Sequence, residues 1–171
     1  MFCLLYVTHA AGGLIAGYLA TGSLSCGAVA AAAALLPDVE SSKSFVGRKL
    51  PGVSHAGSLV VGHRNATHSL LAALGVFLVG LLFSKTANFP VPFVWAAFIG
   101  YLSHLILDTF NPAGVPWFWP LKIRLRIPIV QTGGALERLI VFPALALLCV
   151  SFIVRALVPA ILRAVSFAAG I

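Results

Sequence analysis

From Phe2 to Leu36 the chain carries no Lys, Arg, Asp or Glu. As one helix those residues would run about 52 Å, against a hydrocarbon core of about 30 Å. The stretch must therefore turn back, and Thr21-Gly22-Ser23 is where apolar residues give way to turn formers. A hairpin of two short helices, roughly 6–20 and 24–36, is predicted. Pro37 ends it, because the residue before a proline disfavours the α region. No basic n-region precedes the apolar start, so the segment reads as retained in the membrane rather than cleaved as a signal peptide.

The rest of the chain is equally poor in charge, with 60% hydrophobic residues, 9% charged residues and a mean hydropathy of +1.05. Soluble domains carry about 25% charged residues, and small ones bury only about 70% of their unfolded surface. A water-soluble enzyme, a disordered chain and a nucleic-acid binder working through a basic face are thereby excluded. A bilayer is the solvent that fits. The expected fold is all-α: one membrane-embedded domain over residues 1–171, a polytopic bundle of about four to six helices.

Further apolar helices are predicted over 68–84, capped by Asn65 or Thr67, and over 93–110, ended by Asn111-Pro112. A last long helix is expected from Gly134-Ala135 to about 157, with a separate short one over 159–169. The segments 37–66 and 111–134 read as polar loops. Together they hold Lys43, Arg48, Lys49, Arg64, Lys122, Arg124 and Arg126, seven of the eleven basic residues. The turn between the two middle helices holds only Lys85. The net charge of +7 is thus a positive-inside bias that puts both loops in the cytoplasm, and nucleic acid is not expected as a partner. Cys3, Cys26 and Cys149 are isolated in apolar stretches and read as small buried hydrophobes rather than thiolate ligands.

Against this background the four acids and five histidines stand out. Asp38 and Glu40 follow the hairpin, and His63 and His68 flank the start of the next helix. His104 and Asp108 occupy the last turns of the helix after that, and Glu137 opens the final one. His9 joins them once 6–36 folds back on itself. All four acids and at least four histidines are therefore expected at one end of the bundle, while His55 reads as solvated in a Gly/Ser loop. His104 and Asp108 are four apart and share a helix face. His63 and His68 span a loop-to-helix junction and can serve one ion or two neighbours. Singly, each has an ordinary reading: a core His9, a hydrogen-bonded His104–Asp108 pair, a helix-start carboxylate at Glu137. Jointly, ionisable groups in membrane helices are costly unless paired and point to a divalent-metal site.

Leu36-Pro37-Asp38-Val39-Glu40, Gly62-His63-Arg64-Asn65-Ala66-Thr67-His68-Ser69 and Gly100-Tyr101-Leu102-Ser103-His104 with Asp108 closely resemble the YdjM-type family of membrane-bound metal-dependent hydrolases. Thr8-His9, Gly114-Val115-Pro116-Trp117, Trp119-Pro120 and Glu137 also match its pattern, so the likeness runs from residue 8 to about 140. The resemblance implies a bacterial inner-membrane protein, in some members under DNA-damage (LexA) control. It also implies a distant similarity to the zinc-dependent phospholipase C and S1/P1-nuclease group, all-helical enzymes that cleave phosphoesters with a zinc cluster. Two departures stand out: the family's LPDxD reads LPDVE here, and its HRG reads HRN. No histidine follows His104, so one or two ions are expected rather than three.

On that resemblance the expected activity is hydrolysis of a phosphoester, lipid or lipid-linked, at the cytoplasmic membrane face. His9, Glu40, His63, His68, His104, Asp108 and Glu137 are the expected ligands of divalent metal, zinc foremost. Asp38 would orient or deprotonate the water, and Arg64 would neutralise the phosphoryl oxygens. The rival readings are a small ion-binding transporter and a membrane scaffold whose metal is structural.

Overall fold

The structure, a computed structural model, describes residues 3–38, 64–131 and 133–169. Helix α1 (Cys3–Thr21) and helix α2 (Leu24–Ala33) form the expected hairpin. Gly22 closes it with φ +68°, a left-handed conformation that a Cβ would strain, and its N–H donates to Tyr18 O at 2.7 Å. A single 3₁₀ turn, Leu36–Asp38, follows α2 and carries the buried Pro37.

A one-turn helix, α3 (Arg64–Thr67), precedes α4 (Leu70–Ala87). The cap of α4 is Ser69, whose Oγ accepts from Ala72 N–H at 3.2 Å. Asn65 and Thr67, the expected caps, lie inside α3 instead. Asn88, at φ 52°, ends α4 three residues later than expected from the charge at Lys85. Helix α5 (Val91–Thr109) starts with Pro92 in its first turn, where a missing N–H costs nothing.

The last apolar stretch departs from expectation. A π-helical turn, Glu137–Val141, leads into one continuous helix α6 (Phe142–Ala169) that runs through Pro159 without a break. A proline in a helix forfeits one hydrogen bond and crowds a carbonyl. In lipid no water offers the backbone an alternative, so continuing the helix is the cheaper outcome. Among the described residues three helices are long and apolar enough to cross a membrane: Leu70–Ala87, Val91–Thr109 and Glu137–Ala168. Among the described residues there is no strand, only an antiparallel bridge between Val115 and Leu125.

Helices α1, α2 and α5 form the centre of the bundle, with α4 packed on α5 and α6 on α1. Small residues make the central crossing close. Gly13, Gly17 and Gly100 all face Ala30, itself fully buried, so two neighbouring helices approach α2 at that residue. Cys26 packs with Ala30 and Ala96 in this core. Cys149 is half-buried, with its thiol 3.6 Å from Ala11 O. A second cluster, Ala73, Tyr101, Leu105 and Val115, ties α4 to α5 beneath the loop that follows.

That arrangement brings the beginning of α1, the end of α2, the beginning of α4 and the end of α5 to the same end of the bundle. The sequence has placed a histidine or an aspartate at each.

Candidate metal centre

Five side chains meet there: His9 from α1, Asp38 from the 3₁₀ turn, His68 before α4, and His104 and Asp108 from α5. His9, Asp38 and His104 form one close triad of donor atoms, and His68, His104 and Asp108 form another. His9 and His104 are stacked, ring centroids 3.9 Å apart at 24°, which sets their nitrogens side by side. His9 Nε2 lies 3.2 Å from Asp108 Oδ1, and His104 Nε2 and His68 Nε2 lie 3.5 and 3.7 Å from Asp108 Oδ2. His68 Nε2 also reaches Asp38 Oδ1 at 3.5 Å.

The arrangement of the His104 ring is fixed by its other nitrogen. Nδ1 lies 2.7 Å from Ala34 O, and since a carbonyl only accepts, Nδ1 carries a proton and donates. If His104 is neutral, its Nε2 then presents a lone pair to His68 Nε2, 3.4 Å away, and to the Asp108 carboxylate. A lone pair facing an anion in a buried pocket is repulsive unless a cation stands between them. That cation is either a proton on the ring or a metal ion.

The spacing fits a metal. With Zn–N bonds of about 2.0–2.1 Å, two ligands of one tetrahedral ion sit about 3.3–3.4 Å apart. The His104–His68 nitrogen separation of 3.4 Å and the His9–Asp108 separation of 3.2 Å are of that size. The charge fits as well: neutral imidazoles with two carboxylates leave the cluster two negative charges, which a divalent ion balances. The outer partners are of the kind that orient ligating histidines, namely Ala34 O for His104 and Thr67 Oγ1, 3.2 Å from His68 Nδ1. Among the described residues His9 Nδ1, which is buried, has no hydrogen-bond partner.

Electrostatics act in the same sense at Asp38, outside the long membrane helices. Burial works against its charge, but the hydrogen bond to His68 and the positive charge that His104, His68 and His9 carry when protonated outweigh it. The carboxyl is held below its ordinary range, ionised and ready to receive a cation.

Glu137 stands apart from these donors. Its carboxylate is buried and already engaged, with Oε1 accepting from Thr8 Oγ1 at 2.9 Å and Oε2 from Gly133 N–H at 2.6 Å. Its partner Thr8 precedes His9, so the start of the last helix grips α1 one residue from a donor. Asp38, expected to act on water, stands among the converging donors. Glu40, His55, His63 and the side chain of Arg64 lie outside the described residues. Reading the sequence missed the support groups. Ala34 acts through its carbonyl and leaves no side-chain signal, whereas Tyr101, whose hydroxyl donates to Thr67 O, stands three residues before His104 in the Gly-Tyr motif.

A family model described as "YdjM inner membrane protein" matches residues 4–168. The inner membrane protein YdjM of Escherichia coli (strain K12) is 41% identical over 109 residues, 62% of this chain and 56% of that protein. The match thus spans little more than half of the E. coli protein. YvsG of Bacillus subtilis (strain 168), described as uncharacterized, is 34% identical over 145 residues, 82% of this chain and 88% of its own length. No solved structure matches. With a bundle of apolar helices, a His/Asp cluster at one end of it and a family match along nearly its whole length, this chain belongs to the YdjM inner membrane protein family.

Proposed function

We propose that the chain is a metal-dependent hydrolase that cleaves a phosphoester at the membrane face where its donors meet. One observation carries the reading: the donor set is closed on its nitrogen side and open on its oxygen side. The side chains of His9, His68 and His104 are 3%, 9% and 0% exposed, whereas those of Asp38 and Asp108 keep 21% and 22%. A structural ion is enclosed by its four ligands, while a catalytic one keeps a position open for water or substrate.

Imidazole and carboxylate donors suit zinc first among the divalent ions of cells. When bound, such an ion would lower the pKa of a water to about 7, supplying hydroxide at neutral pH. The chain does the rest. Ala34 holds the His104 ring with Nε2 inward, and the stacked His9 ring fixes the neighbouring donor. Asp38, on the open side, orients the water and accepts its proton as general base. Arg64, four residues before His68 in sequence, is assigned the charge that builds on the phosphoryl oxygens. A membrane position favours a lipid or lipid-linked phosphoester as the substrate class, and the Lys/Arg bias of the loops favours the cytoplasmic side.

Two measurements test the reading. Detergent-purified protein screened against lipid and chromogenic phosphodiesters is expected to turn over only with zinc present and to stop with chelator. Stoichiometric metal without turnover on any substrate would instead favour a scaffold with a structural ion. For orientation, a reporter fused after Ser84, near the far end of α4, is expected to read periplasmic. A cytoplasmic signal there would reverse the assigned side.

A further inference from the structure

Between Asp108 and Glu137 there is no acidic residue, and residues 121–129 read Leu-Lys-Ile-Arg-Leu-Arg-Ile-Pro-Ile. Apolar and basic residues alternate. In an extended chain successive side chains point to opposite sides, so such a pattern separates a greasy edge from a positive one. Leu121, Ile123, Leu125, Ile127 and Ile129 are 42–61% exposed, and Lys122, Arg124 and Arg126 are exposed as well.

The segment is not a loose loop. Leu125 pairs both backbone groups with Val115, at 3.0 and 2.9 Å, and Ile127 N–H donates to Thr109 O at 2.8 Å. Ile129 N–H is shared between Ile127 O at 2.7 Å, a turn that ends the extended run, and Phe110 O at 3.2 Å, to which Val130 N–H also donates at 3.0 Å. These bonds pin it across the end of α5, starting one residue from Asp108. Being non-helical, it is barred from the hydrocarbon, where unpaired backbone groups go unsatisfied. Its row of large apolar side chains equally suits water badly. The boundary between the two is the place that serves both halves of the pattern, and at that level the charge partner on offer is the phosphate of anionic lipid.

We propose that Leu121–Ile129 is an interfacial anchor that seats its apolar edge at the acyl boundary and binds anionic lipid headgroups beside the metal centre. Charge complementarity favours this occupant, since three cations without an intervening acid repel a second copy of themselves and attract an anionic leaflet. The proposal does not depend on the hydrolase reading, because it concerns lipid contact alone.

Native mass spectrometry of the full chain, released from micelles holding equal phosphatidylglycerol and phosphatidylcholine, tests it. Wild type is expected to retain phosphatidylglycerol preferentially. Lys122→Gln with Arg126→Gln should lower that preference by about fivefold for each charge removed. Arg124 is left in place because its guanidinium also donates to Ala113 and Gly114 carbonyls. Lys122→Arg with Arg126→Lys should keep the preference, and an unchanged metal content in every variant would show that the fold is intact. A wild type without lipid preference, or a Gln variant that keeps it in full, would overturn the proposal. So would a dimer in the same spectra that the substitutions dissociate, since the occupant would then be a second copy.

Discussion

Purified in detergent and loaded with zinc, the protein is expected to retain about one ion per chain within the described donor cluster. His104→Ala and Asp108→Ala should each weaken that binding by at least a hundredfold. The stoichiometry follows from a shared atom. Both donor triads include His104, whose Nδ1 is committed to Ala34. Only Nε2 remains, and it has one lone pair, so the triads cannot each hold an ion at once. The magnitude follows from comparison with weaker changes, since removing only the outer partner of a ligating histidine typically costs 10–100-fold in affinity. Loss of a ligand should cost more. Asp108 is the harsher deletion in charge terms, as all three imidazoles face its carboxylate within 3.2–3.7 Å. Glu137→Gln is the informative contrast. Its oxygens are taken by Thr8 and Gly133, so the variant should keep the ion. Elemental analysis of the purified variants reads all of this directly. A metal-free wild type, or a Glu137→Gln variant stripped of metal while His104→Ala keeps it, would refute the assignment.

How much of this centre could be read from residues alone depends on what lipid makes expensive. His9, Asp38, His104 and Asp108 were legible because a charged or polar group in an apolar helix needs a partner, and four of the helix ends supply one. The hairpin was legible for a length reason, as an uninterrupted helix over 2–36 would outrun the bilayer. Other features depend on contacts that no periodicity encodes. The stacking of His9 on His104 arises from the α1–α5 packing, and the grip on Nδ1 comes from an alanine carbonyl. Glu137 reads as a ligand by type, and no periodicity tells that its carboxylate oxygens accept from Gly133 N–H and Thr8 Oγ1. Pro159 looked like a helix stop by the rules of soluble proteins, which lose their force where the backbone has no water to turn to. The alternation over 121–129 is plain in the sequence, but only the fold pins it across the end of α5.

Gly100→Ala should destabilise the bundle, whereas Gly75→Ala should leave it unchanged or slightly firmer. Both glycines lie inside helices, where alanine is ordinarily the better residue by about 1 kcal/mol. Their surroundings reverse the sign for one of them. A Cβ at Gly75 would meet nothing within 4 Å, but a Cβ at Gly100 would lie 2.7 Å from the carbonyl carbon and Cα of Ala30. Those are backbone atoms of a packed helix and cannot rotate aside. Overpacking of this kind costs typically 1–3 kcal/mol, a fall of roughly 2–10 °C in the unfolding midpoint for a chain of this size. The consequence should reach the metal centre. Gly100 touches Ala30 one helical turn from where His104 donates to Ala34, so spreading α2 from α5 pulls the carbonyl away from the ring it orients. Gly100→Ala is therefore expected to lower both the midpoint and the affinity for zinc, and Gly75→Ala neither. Thermal scans in detergent with and without zinc distinguish the cases. If both substitutions shift the midpoint alike, close contact at Ala30 is not what sets α2 against the helix that carries His104.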